Sequence, residues 1–149
     1  MCRALMRCSA MRPIDRHPEA DRIEEIARSL VGVRFRPQGR DPRGCDCLGL
    51  SVLVAARAGI SVDVPPQPMR GSGLEVAIDR LRRNGCTQVE FAQPGDLMLQ
   101  APATLQVHLA VRVEGGLIEA HAGLRRVVFR PLGAWERWHS GWRFPQSGD

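Results

Sequence analysis

Gly44-Cys45-Asp46-Cys47-Leu48-Gly49-Leu50 runs without interruption into Ser51-Val52-Leu53-Val54-Ala55-Ala56-Arg57-Ala58. The reading of this stretch decides the fold. Before it, residues 37–44 are rich in Pro and Gly, and Gly59 closes the apolar run. A loop that feeds an apolar segment closed by glycine predicts a helix over residues 47–58. That helix is apolar on nearly every side, so it is expected inside the domain and not on its surface. Asp46 is a good N-cap, because its carboxylate can accept the orphan amide hydrogens of the first turn. Cys47 then falls in that turn, where free amides and the positive end of the macrodipole favour a thiolate. The thiol is expected to ionise below its free value of about 8.5 and to serve as a nucleophile. A cysteine in an apolar helix is more often a small buried hydrophobe. The catalytic assignment therefore needs partners elsewhere in the chain.

Working outward, residues 15–30 read as a first helix. Asp15 or His17 precedes Pro18 near its start, Glu19 and Asp21 occupy the first turn, and Ile23, Ile26, Ala27 and Leu30 form one face. Gly32 ends it, and residues 33–43 form a loop. Residues 1–14 show no periodicity and are expected to be a disordered N-terminal segment, leaving 15–149 as a single domain. Pro65, Pro66 and Pro68 interrupt structure after the second helix. Leu74, Ala77, Ile78 and Leu81 then lie at helical spacing within a third helix over residues 73–84, with Asn84-Gly85 as its C-cap. Beyond it the period changes from about 3.6 to 2. Strands are predicted over 87–91, 97–100, 107–113, 117–122 and 126–132, then one helical turn over 134–139 and a closing strand at 142–144. Pro94-Gly95-Asp96 and Glu114-Gly115-Gly116 are turns, the second a hairpin. Helices first and an antiparallel meander second make an α+β domain, with N-terminal helices packed on a small antiparallel sheet.

Composition narrows the function. The chain has 149 residues, 44% hydrophobic and 25% charged, which fits one soluble globular core. The net charge of +5 is carried by arginine and favours anionic polymers, but the arginines are scattered without a basic run, so no nucleic-acid surface is indicated. No segment approaches the roughly 18 apolar residues of a membrane span. The N-terminal residues lack the apolar stretch of a signal peptide, so synthesis in the cytoplasm is expected. Five cysteines in a chain this apolar point to free thiols, not to a disulfide scaffold.

Val107, Leu109, Val111 and Val113 alternate with His108, Ala110 and Arg112. His108 therefore projects from the face opposite the fully apolar one, and small Ala110 beside it would let a helix come close. The hairpin turn folds Ile118 to His121 back alongside. A thiol at a helix start, an imidazole on a facing strand and a third polar group on the next strand meet the needs of thiol catalysis. The thiolate attacks, the imidazolium keeps it ionised and protonates the leaving amine, and the third group fixes the ring.

The order of these motifs carries a resemblance. Gly44-Cys45-Asp46-Cys47-Leu48-Gly49-Leu50, Pro94-Gly95-Asp96-Leu97, Val107-His108-Leu109-Ala110-Val111 and Ile118-Glu119-Ala120-His121-Ala122 resemble the successive motifs of the NlpC-type papain-like cell-wall cysteine peptidases. Gln38-Gly39-Arg40 before the cysteine motif and Trp142-Arg143-Phe144-Pro145 near the end are similar to the phage-tail and gene-transfer-agent branch. The resemblance implies a papain-like fold and hydrolysis of a peptide bond in peptidoglycan, typically between γ-D-glutamate and the following diamino acid, with no cofactor. It implies Cys47 as nucleophile, His108 as base and acid, and His121 as the orienting residue. Asp46, Phe35, Gln38 and Arg40 fall where oxyanion or substrate contacts are implied, with the Cys47 amide as one oxyanion donor. The family commonly carries a tyrosine shortly before the cysteine; here Phe35 stands there, and the chain has no tyrosine. The implied partners are peptidoglycan stem peptides and the hub or baseplate proteins of a phage-like tail, within a particle that acts on the cell wall.

Two rival readings stand beside it. Cys45, Cys47, His108 and His121 are four ligands of the kind a tetrahedral zinc site uses, although the Cys-x-Cys spacing is tight. A tail-tip subunit that keeps the fold without cleaving is the other. Arg40, Arg43 and Arg112 could hold substrate carboxylates but read first as solvated surface charge, Asp96 could be a catalytic acid but reads first as a turn cap, and Trp135 and Trp138 could stack on sugars but read first as core.

Overall fold

A computed structural model describes residues 17–65, 73–134 and 136–147. The expected disordered segment, Pro66, Pro68 and Trp135 lie outside the described residues. Three helices precede most of the strands: α1 (Ala20–Ser29), α2 (Cys47–Arg57) and α3 (Leu74–Arg83). Two short strands, β1 (Arg40–Asp41) and β2 (Gly44–Cys45), pair as a small antiparallel hairpin in the segment expected to be loop. The main sheet comprises β3 (Thr87–Val89), β4 (Leu97–Ala103), β5 (Gln106–Val113), β6 (Gly116–His121), β7 (Arg126–Pro131) and β8 (Ser140–Arg143). Its strands are antiparallel, in the order β3-β8-β4-β5-β6-β7.

Two expectations need correction. The C-terminal strand does not close the sheet; β8 inserts between β3 and β4, pairing Trp142 with both Gln88 and Leu97. Trp142 is fully buried there, and its apolar ring outweighs the chain-order preference for a meander. The helical turn expected after Gly133 is absent among the described residues of that segment. A single turn, closed by the Glu136 amide on the Gly133 carbonyl at 3.1 Å, precedes Glu136 and Trp138, which lie against Arg130 and His108 of the sheet.

α2 is the central helix, as its composition predicts. Leu50, Leu53, Val54 and Ala55 pack with Val107, Leu109, Val111 and Val113 of β5 in one continuous core. α1 lays Ile23, Ala27 and Leu30 on the same core, and Leu81 of α3 joins it. The other sheet face has a smaller cluster of Met98, Ala110, Leu117 and Trp138. Small Ala110 thus makes room for an indole and not for the expected helix.

The approach to α2 has no space for side chains. A Cβ on Gly49 would lie 1.7 Å from the Gly39 carbonyl oxygen, and one on Gly39 would lie 2.3 Å from that of Gly44. Backbone-to-backbone contact of this kind requires glycine. Gly49→Ala is expected to destabilise the protein by about 3 kcal/mol in urea unfolding, near the upper end for overpacking. A change under about 1 kcal/mol would mean that the loop does not bear on the helix.

Candidate active site

Asp46 caps α2 as the sequence predicts, and does more. It adopts an extended backbone, and its Oδ1 accepts the Gly49 amide at 2.8 Å. Its Oδ2 accepts the Gln38 amide at 2.8 Å. The side chain is buried and both oxygens are engaged. Asp46 therefore welds the preceding loop to the helix start, with both carboxylate oxygens engaged by backbone amides. Gln38, at φ +60°, takes the left-handed conformation that this bond requires. Its side chain is exposed.

Cys47 opens α2 with 5% of its surface exposed. Cys47 lies close enough to the His108 ring to favour the charged imidazolium. His108 Nε2 lies 2.8 Å from Glu119 Oε2, which leaves the other ring nitrogen, Nδ1, for the sulfur. Glu119 is buried, and its Oε1 accepts Arg130 Nε at 2.8 Å. The Arg130 fork in turn grips Glu136, with NH1 to Oε2 at 2.8 Å and NH2 to Oε1 at 2.5 Å. Trp138 Nε1 donates to Glu136 Oε1 at 3.1 Å, and the indole stands against the His108 ring with centroids 5.9 Å apart.

The sequence reading expects His121 beside the imidazole, whereas in this structure the carboxylate of Glu119 makes that contact at 2.8 Å. Opposed strands place His108, Glu119 and His121 on one face, and a continuous ladder would set His121 opposite His108. The β5–β6 ladder covers Val111↔Ile118 to Val113↔Gly116, whereas β6 stays paired with β7 through His121↔Arg126. His121 turns onto its own loop, its Nδ1 accepting the Leu124 amide at 3.0 Å. Glu119 is the diagonal neighbour of His108 across the strands, within reach of a long side chain. An acidic residue between Ile118 and Ala120 in an apolar strand was the available signal.

These contacts set the charge of the pair. Burial alone would lower the His108 pKa, but its hydrogen bonds to Cys47 and Glu119 outweigh burial and raise it to about 9. Burial would raise that of Glu119, but its bonds to His108 and Arg130 dominate and hold it at about 2. Glu119 contributes stability above its ordinary value of 4.5, lost as pH falls through about 2. His108 contributes stability below its ordinary 6.5, lost as pH rises through about 9. The melting-temperature advantage of wild type over Glu119→Gln is therefore expected to be flat between 4.5 and 6.5 and to shrink on either side. A pH-independent difference would contradict the pairing.

The remaining sequence candidates separate cleanly. Phe35 bridges to Cys45 and packs on the core edge, beside Ala122 and Arg125. Arg40 does not reach toward Cys47; its guanidinium bonds the carbonyls of Val64 and Pro65. Arg43 is exposed. Arg112, expected on the surface, is buried and donates to the Val113 and Gly116 carbonyls of the hairpin. Asp96 closes its turn as expected and is fully buried against Arg143, with Nε to Oδ1 at 2.9 Å and NH2 to Oδ2 at 3.0 Å. Cys45 is buried without exposure, and burial pushes its thiol up to about 11. Among the described residues, no three His, Cys, Asp or Glu side chains converge as a metal centre requires, so the zinc arrangement of Cys45, Cys47, His108 and His121 is not formed. Among the same residues, no helix is long and apolar enough to cross a membrane.

No protein-family model matches the sequence, and no curated protein sequence does either. Solved structures do. The chain is similar to the NlpC/p60 domain of the peptidoglycan hydrolase SagA, with 20% identity and a TM-score of 0.56 over 82% of this chain and 96% of that one. It is similar to NlpC1 from Trichomonas vaginalis, with 17% identity and a TM-score of 0.66 over 92% of this chain and 48% of that one. The peptidoglycan hydrolase RipB from Mycobacterium tuberculosis aligns at 21% identity and a TM-score of 0.57, over 88% and 69% of the two chains. The three helices and the antiparallel sheet are thus the papain-like NlpC/p60 fold.

Proposed function

We infer that this chain is a cysteine peptidase of bacterial peptidoglycan, acting on the bond between γ-D-glutamate and the following diamino acid. The observation that carries this reading is an imidazole whose Nε2 lies 2.8 Å from a buried carboxylate, with Cys47 at the head of a buried helix close enough to favour its charged form. The NlpC/p60 fold and the hydrolases that share it supply the substrate class.

In this mechanism the Cys47 thiolate attacks the scissile carbonyl carbon. The developing oxyanion meets the Cys47 amide, which as the first N–H of α2 has no intrahelical acceptor. The C–N bond breaks as the proton on His108 Nδ1 passes to the leaving amine, leaving a thioester on Cys47. His108 then takes a proton from water, whose oxygen attacks the thioester carbon, and the thiolate departs. Glu119 stays ionised throughout and holds the ring in line. Phe35 offers no hydroxyl, so we assign a second oxyanion or substrate contact to the exposed Gln38 side chain, whose backbone amide is tied to Asp46.

The motifs around Gln38 and Trp142 support placement in a phage-like tail, where hub or baseplate proteins would hold the domain and stem peptides would be its substrate. Digestion of defined muropeptides with mass analysis of the products tests both activity and bond. Fragments split between D-glutamate and the diamino acid are expected. Release of intact stem peptide from the sugar would instead indicate an amidase, and an unchanged substrate would remove the enzyme reading.

A further inference from the structure

The contacts around His108 form a closed circuit. Starting from the ring, Nε2 meets Glu119, Glu119 meets Arg130, Arg130 is forked onto Glu136, Glu136 accepts the Trp138 indole, and that indole returns to the His108 ring. Two different restraints on one imidazole, a carboxylate at its edge and an aromatic ring beside it, therefore converge on one ion pair. We propose that Arg130 and Glu136 are positioning residues of the thiol site, acting through Glu119 and Trp138 to fix the orientation of His108. The proposal rests on the peptidase reading only for its activity measurement.

The chemistry favours this over a plain surface ion pair. An exposed pair contributes little, but here the Arg130 partner Glu119 has 5% of its side chain exposed and Glu136 has 14%. A guanidinium fork fixes direction as well as charge, which a lysine cannot do. Without Arg130, Glu119 would keep one partner for two carboxylate oxygens and would be free to rotate away from the ring. Trp138 depends on the same anchor, because its Nε1 bonds the Glu136 oxygen that Arg130 NH2 also holds. The charged and titratable groups facing Glu119 are His108 from β5 and Arg130 from β7, with Cys47 of α2 and Glu136 one step beyond. Removing the arginine therefore leaves a buried carboxylate that protonates more readily.

The test is the pH dependence of iodoacetamide alkylation at Cys47, read by mass on the Cys47 peptide, in wild type, Arg130→Met, Arg130→Lys and Glu136→Gln. Cys45 and Cys86 are buried with thiols pushed up to about 11, so they do not compete at low pH. The low-pH limb is expected to move up by about one pH unit in Arg130→Met, the smaller end of the effect of losing an opposite charge. Arg130→Lys should restore much of that shift. Muropeptide kcat should fall about tenfold or more in both, because the fork is lost, with little change in KM. Glu136→Gln removes a negative charge, which by itself would move the limb down, so an upward shift in this variant reads lost positioning and not lost charge, even if Arg130→Met does not fold. Wild-type limbs in folded Arg130→Met or in Glu136→Gln would overturn it. Shifted limbs with no hydrolysis in wild type would uphold the positioning role and discard the peptidase.

Discussion

Cys47→Ala is expected to remove muropeptide hydrolysis, lowering kcat/KM by at least about 10,000-fold. The substitution deletes the sulfur that forms the acyl intermediate, and no nearby group replaces it. Cys45 is two residues away, but it is buried without exposure and burial holds its thiol protonated. The fold should survive, because Cys47 and Ala differ by one atom at a helix start secured by Asp46. Product analysis by mass, with melting curves recorded on the same preparation, checks both statements. Equal product release by the variant and wild type would end the proposal that this site is a cysteine peptidase.

The second large effect separates two residues that lie two positions apart. Glu119→Ala should cost about 1,000-fold in kcat, because the imidazole loses the carboxylate that orients it and stabilises its charge. His121→Ala should stay within about threefold of wild type, since its ring bonds only its own turn among the described contacts. Steady-state kinetics on both variants decides between them. A reversed ranking would restore His121 as the orienting residue, and would require the β5–β6 ladder to extend past Val111↔Ile118 when substrate binds.

Much of this was open to reading along the chain. The apolar composition of residues 47–58 predicts a buried helix, and Asp46 predicts its start; the observed α2 is Cys47–Arg57. The alternation from Val107 to Val113 predicts β5 and puts His108 on the face away from the helical core. These features rest on local periodicity and capping, which a single sequence displays. An acidic residue in an apolar strand marks Glu119 as a candidate, but the pattern does not say whether it or His121 meets the imidazole, because both share one face of β6 at a spacing of two.

The sequence by itself determined the helix that carries Cys47, the strand that carries His108 and the turn chemistry between β5 and β6, since each depends on neighbours a few residues apart. The tertiary structure alone decided which side chain touches the imidazole, that β8 enters the sheet beside β4, and that Arg130, Glu136 and Trp138 complete a ring around His108. Those outcomes follow from where a strand ladder stops and from burial of a carboxylate that must find a partner. Both are set by groups far apart in the chain, and no local pattern records them.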